Sequence, residues 1–164
     1  MYAIIENNAV AKVGELTILF PDTSNPNASF AAEQGALEVV EGEQKDQRFY
    51  WVTFDKYEVT GNVVTRTYVN TPKALEDVTN EDASVTQGLK SQWIAQGKIT
   101  ANSLLAATDW MVIRKAERNV DIPADVVAER IRLVAECNAK EVAIRACTTM
   151  DEFLAIVAPV QTGV

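Results

Sequence analysis

LLAATDWMVIRKAERNVDIP, residues 104–123, contains an apolar helical run, a Trp, a cluster of basic and acidic residues, and a proline that opens a second run. That order predicts two helices joined by a tight bend. Arg114, Lys115 and Arg118 fall in the last turn of the first helix, where positive charge meets the negative end of the helix dipole. Asp121 and Asp125 sit at the start of the next, where negative charge is favoured. Pro123 suits a first helical turn because its φ is already fixed. Trp110 is expected to plug the wedge between the helices, since Trp is highly buried on average, with Asp109 bonding the indole N–H or a nearby backbone group. Asp109, Trp110, Arg114 and Pro123 are thus the expected structural residues of a helical hairpin.

Apolar spacing extends this reading in both directions. Val85, Leu89 and Trp93 recur every four residues and are followed by Leu104, Leu105, Met111 and Val112, which predicts a long first helix with an irregularity near Gly97. Val127, Ile131, Val134 and Val142 give the second helix one apolar face. Thr149-Met-Asp-Glu152 has the form of a capping box, in which hydroxyl and carboxylate each satisfy a free backbone N–H. A short third helix is expected there, with Phe153, Leu154 and Val157 folding back onto the hairpin.

Before residue 72 the signals change to strands and turns. Tyr2–Glu6 and Ala9–Val13 flank Asn7-Asn8, and asparagine tolerates the left-handed backbone of a tight hairpin. Arg48–Val59 and Asn62–Val69 form a second pair, rich in aromatic and β-branched residues. Pro21–Asn27 is a cluster of turn formers, Ser29–Gln34 begins a short helix ended by Gly35, and Ala36–Val40 resumes an extended pattern. Residues 70–82 are polar and carry Pro72. The expected fold class is α+β: a small antiparallel β domain over 1–72, a linker over 73–82, and a helical domain over 83–164 made of a hairpin and a short third helix.

Composition narrows the function classes. A chain of 164 residues with 48% hydrophobic residues can build at least one modest core, and a net charge of -8 opposes phosphate-backbone binding. No nucleic-acid partner is expected. The start, Met1-Tyr-Ala-Ile-Ile-Glu, lacks a basic leader, and no apolar run is long enough for a membrane span, so a soluble product of a cytoplasm is expected. The chain has no His, which removes His-dependent triads, HExxH zinc sites and a His general base. Cys137 and Cys147 would lie about 15 Å apart along one helix, which predicts reduced thiols. Carboxylate pairs such as Glu41/Glu43 read as solvated charge. The expectation is a non-enzyme with no cofactor and no metal.

Binding surfaces are the remaining candidates. An unpaired strand edge, or the loop that carries Pro21 and Asn25, is expected to dock a partner, as is an apolar groove in the helical region. Val85, Leu89 and Trp93 are the candidate contacts there, because they precede the hairpin proper and find little of their own chain to cover them.

Two stretches carry a resemblance. Leu19-Phe-Pro-Asp-Thr-Ser24 with Glu33-Gln-Gly35 is similar to the N-terminal module of small tail-associated proteins of tailed bacteriophages. Leu105-Ala-Ala-Thr-Asp-Trp110, Arg114, Glu117, Ile122-Pro123 and Arg130-x-Arg132 resemble the C-terminal helical module of the tail-fibre assembly or tail assembly chaperone-like family. The resemblance implies a component of the virion tail, made in the host cytoplasm, that binds a tail-fibre or baseplate protein and leaves self-association open. A transient assembly chaperone absent from the mature virion is the alternative, and a small cytoplasmic enzyme ranks below both.

Overall fold

A computed structural model describes residues 1–7 and 9–158. The chain divides into two compact units, Met1–Pro72 and Lys73–Val164. The fold is mixed α+β, with a five-stranded sheet in the first unit and long helices in the second.

The first unit runs β1 (Tyr2–Glu6), β2 (Ala9–Gly14), α1 (Leu16–Leu19), α2 (Ala28–Glu33), β3 (Leu37–Glu41), β4 (Tyr50–Thr60) and β5 (Val63–Pro72). Asn7 takes a φ of 52°, as the β1–β2 turn requires; Asn8, the second residue of the expected turn, lies outside the described residues. Asn27 caps α2 by accepting the Phe30 N–H at 2.9 Å, and Gly35 ends it at a φ of 70°. Strand order is β2-β1-β3-β5-β4. Most ladders are antiparallel, but β3 and β5 pair in parallel with Val39 opposite Val64. The expected antiparallel domain is therefore a mixed sheet. The cause is connectivity: the chain leaves β3, makes β4 on the far side, and returns so that β5 is inserted between them. Ala3, Ala31, Phe49 and Val64 are buried in this unit. The sheet curls enough that Val10 and Val13 of β2 share a shallow pocket with Phe54 and Tyr57 of β4, its two edge strands.

The second unit begins with a small ribbon that sequence periodicity does not reveal: β6 (Val78–Thr79) pairs with β7 (Val85–Thr86). Two-residue strands have no period to detect. The turn between them is held by Asn80, whose amide donates to the Ser84 and Thr86 hydroxyls, and Ala83 takes a φ of 62°. Three helices follow, α3 (Leu89–Arg118), α4 (Ala124–Ala146) and α5 (Met150–Val157). Helix α3 continues through Gly97 without a break.

Residues 73–82, expected to be a linker, belong to this unit and supply the start of α3. Carbonyls of Ala74 and Leu75 accept the N–H groups of Leu89 and Lys90 at 2.9 and 3.1 Å. Those donors would otherwise lack an intrahelical partner. Asp77 accepts the Gly88 N–H at 2.8 Å and the Ser91 hydroxyl at 3.0 Å. Gly88 is required by proximity: a Cβ there would lie 2.3 Å from the Glu76 carbonyl oxygen. At the other end of α3, Asn119 adopts the left-handed conformation at a φ of 54° and Pro123 caps α4 from just outside it. Helix α5 opens with the capping box, the Glu152 N–H reaching the Thr149 hydroxyl at 3.2 Å and the Glu152 carboxylate accepting the Thr149 N–H at 3.2 Å. Phe153 is then buried, edge-on to Trp93 at 5.8 Å, and Leu89, Ile94, Ile144 and Cys147 are the other buried apolar side chains of this unit. Both cysteines are free thiols.

The cap on α3 makes this unit sensitive to acid. The Gly88 N–H and then the Ser91 hydroxyl hold the Asp77 carboxyl below its ordinary value, and the backbone N–H groups of Thr148 and Thr149 do the same for Glu152. A carboxyl whose folded pKa is depressed contributes stability that is full above its unfolded value and lost as pH falls through the folded one. Melting of the second unit is expected to drop on acidification through and below the ordinary carboxylate range, and Asp77→Asn to flatten that drop; circular dichroism melts at stepped pH give the comparison. Gly88→Ala is expected to lower stability by about 1–3 kcal/mol in urea titrations, because the added methyl meets backbone rather than a movable side chain.

Candidate binding site

The two long helices of the second unit touch along opposite directions. Lys98 pairs with Glu141 at 2.8 Å, Arg130 with Asp109 at 2.8 Å, and Lys115 with Asp121 across the connection. The Lys98 ammonium and then the Arg145 guanidinium hold the Glu141 carboxyl below its ordinary value. Arg130 does more than pair with one carboxylate. Its guanidinium also donates to the Leu105 carbonyl at 2.8 Å and to the Thr108 hydroxyl at 2.5 Å, so one α4 side chain grips a whole turn of α3. Periodicity gave no signal for this role, because an Arg on an inward helix position reads as an ordinary charge.

Between the helices runs a groove of about 300 Å³. Trp93, Gly97, Thr100, Ala101 and Leu104 line it from α3, and Leu133, Cys137 and Ile144 from α4, with Glu136 and Lys140 also on its wall. Gly97 stands out physically. A glycine in a helix interior costs about 1 kcal/mol relative to alanine. A Cβ at Gly97 would meet nothing within 4 Å, so no packing within the described residues requires the glycine. Its effect is to leave the groove open at its middle.

The expected contact triad is not brought together as one surface. Leu89 is buried against its own chain, and Trp93 lines the groove while packing on Phe153. Val85 is exposed but lies in β7, not on α3. Its four-residue offset from Leu89 is coincidental, because Gly88 is extended at a ψ of 171° and the helix starts after it. Pro21 and Asn25 are exposed in the other unit, in the turn between α1 and α2, and Asn25 holds a φ of 52°.

Trp110 does not fill the wedge between the helices. It is 52% exposed, with the Arg114 guanidinium stacked 4.9 Å above its ring. Asp109 bonds Arg130 rather than the indole. The reason is angular: at 100° per residue Trp110 points about 160° away from Thr108, which faces α4 through Arg130. Pro123 and Arg114 keep structural places, as the α4 cap and the cation over the Trp110 ring.

No family model, curated protein or solved structure matches the chain. Among the described residues no helix is long and apolar enough to cross a membrane, and no group of three or more Cys, Asp or Glu is placed to hold a metal ion.

Arg130 and Trp110 exchange the importance that the sequence suggests. Arg130→Ala is expected to destabilise the second unit by about 2 kcal/mol, since it removes charge-assisted bonds to Asp109, the Leu105 carbonyl and the Thr108 hydroxyl at once. Trp110→Ala is expected to stay within about 0.5 kcal/mol, as for an ordinary surface change. Paired denaturant titrations of the two variants decide this, and a larger loss for Trp110→Ala would reverse the assignment.

Proposed function

We propose that this chain is a non-enzymatic bacteriophage tail protein, a structural or adaptor component of the tail, baseplate or tail-fibre network that works through protein–protein binding. The observation that carries the proposal is the α3/α4 groove with Gly97 at its middle. Read as a helical hairpin closed by a short third helix, the second unit offers a concave, mainly apolar cleft between two rigid elements, a common way of seating a partner segment. Leu104 adds apolar surface beside Trp93, while Glu136 and Lys140 give a polar margin that fixes register. The bound segment is an apolar helix or strand of a tail-fibre or baseplate protein. The Thr-Asp-Trp110, Arg114, Pro123 and Arg130-x-Arg132 succession supports the tail assignment.

Quantitative mass spectrometry of purified particles, set beside the infected-cell lysate, tests the role. A fixed ratio to known tail proteins is expected. Abundance in the lysate with absence from particles would make the chain an assembly chaperone instead. Gly97→Leu tests the groove separately: the variant is expected to be at least as stable, because it gains helix propensity and meets open space, yet to co-purify with less fibre or baseplate protein. Undiminished co-purification would remove the groove from the interface.

A further inference from the structure

Helix α4 has a second apolar face that its own chain leaves bare. Ala124, Ala128, Ile131, Ala135, Asn138 and Val142 follow one another at steps of four and three, the spacing of a helix–helix seam. Each is exposed, with Ile131 at 65% and Val142 at 66%. Val127 and Val134 flank the seam and are also exposed. This stripe lies about 160° around the helix from Leu133, Cys137 and Ile144, so it is separate from the groove.

The charge on α4 is displaced to another sector and satisfied there. Arg132 pairs with Glu129 at 2.6 Å and with Glu136 at 2.5 Å, both on its own helix. The stripe itself carries no charged side chain between Ala124 and Val142. An occupant that matches it presents an uncharged face with small side chains opposite Ile131, Asn138 and Val142.

We infer that this occupant is α4 of a second copy of the chain, packed antiparallel. Layers of an antiparallel pair bring one seam position against the alternate one of its neighbour. Here that sets Ile131 against Ala135 of the second copy, Asn138 against Ala128, and Val142 against Ala124. Each layer joins one larger side chain to one alanine, which is the size match that close packing requires. These layers are centred on position 133, so the twofold axis falls midway between the Ile131 and Ala135 layers. A parallel pair would stack alanine on alanine, Ile131 on Ile131, and Arg145 on Arg145. The antiparallel pair instead carries Arg145 level with Asp121, at the acidic start of the other α4.

The area sets the strength. A stripe one helix wide and about 27 Å long removes on the order of 550 Å² in the pair, below the roughly 1,600 Å² of a standard interface. The dimer is therefore reversible and depends on concentration.

Sedimentation equilibrium of the full chain is expected to show a mass that rises with concentration from 18.0 kDa towards twice that value. Ala135→Glu, a good helix former at an exposed position, is expected to hold the mass at one chain while the far-UV spectrum is unchanged; Ile131→Lys is the second variant. An equimolar mixture of Ile131→Cys and Ala135→Cys chains is expected to form a disulfide-linked dimer on mild oxidation. A parent chain that stays monomeric at its highest soluble concentration overturns the inference. So does a dimer that survives both substitutions, a larger closed oligomer, or a dimer in which the Ile131→Cys and Ala135→Cys chains do not cross-link.

Discussion

The helical unit depends on how Phe153 is buried. The capping box at Thr149 and Glu152 sets the direction of α5, and that direction drives Phe153 against Trp93 and into a cluster with Leu89, Ile94 and Ile144. The same end receives segment 74–77, whose carbonyls and carboxylate finish the first turn of α3, and the Lys90 ammonium, nearly buried, pairs with Glu76 and donates to the Arg145 carbonyl at 3.3 Å. Every such contact lies within a turn or two of the base. Among the residues between Ile94 and Ile144 none is buried.

That imbalance governs the rest of the unit. Beyond the base the helices are joined by half-buried side chains such as Leu105, Met111 and Leu133, by the Arg130 grip and by ion pairs with at least one exposed partner, which contribute little to stability. Two helices give each other only one face to bury, whereas α3 and α4 carry apolar side chains on more than one. Ile99, Leu104, Ile113, Ile131 and Val142 are all more than half exposed. Scattered exposed apolar residues need no explanation, but a contiguous stripe and an open cleft do.

The local elements of this fold are legible in the sequence because their signals are local. The two strand pairs, the α2 cap at Asn27, the stop at Gly35 and the capping box at Thr149 each depend on a few adjacent residues whose backbone preference is strong. What escaped is what depends on distant chain. The parallel β3/β5 pairing follows from where β4 returns, and the start of α3 follows from the Glu76 backbone lying where Gly88 would carry a Cβ. Four-residue spacing alone places Val85 on a helix, because it ignores this contact. Trp110 was assigned to the core from a general tendency of its residue type, although its angular position, readable from the same 3.6 period, already placed it away from Thr108. The groove was partly legible through Trp93, while Gly97 looked like an irregularity and is instead the point where the helix stays open.

The groove and the stripe occupy different faces of α4, and this separation has a consequence for an adaptor. Leu133, Cys137 and Ile144 face α3 and the groove, while Ile131, Ala135 and Val142 point the other way. Pairing of α4 with a second α4 leaves both grooves clear, so each dimer offers two partner sites related by a twofold axis. Neither the pair nor a single groove needs to be strong, because the second of two linked binding events is intramolecular and gains effective concentration without new contacts. Under the proposed tail role, two weak surfaces on opposite faces of one helix would give a largely monomeric chain in solution and a firm hold once partners are arrayed. A stronger self-interface would form before partners are present. The modest stripe, broken by Asn138 and lined with alanines, has the strength that such order of assembly requires.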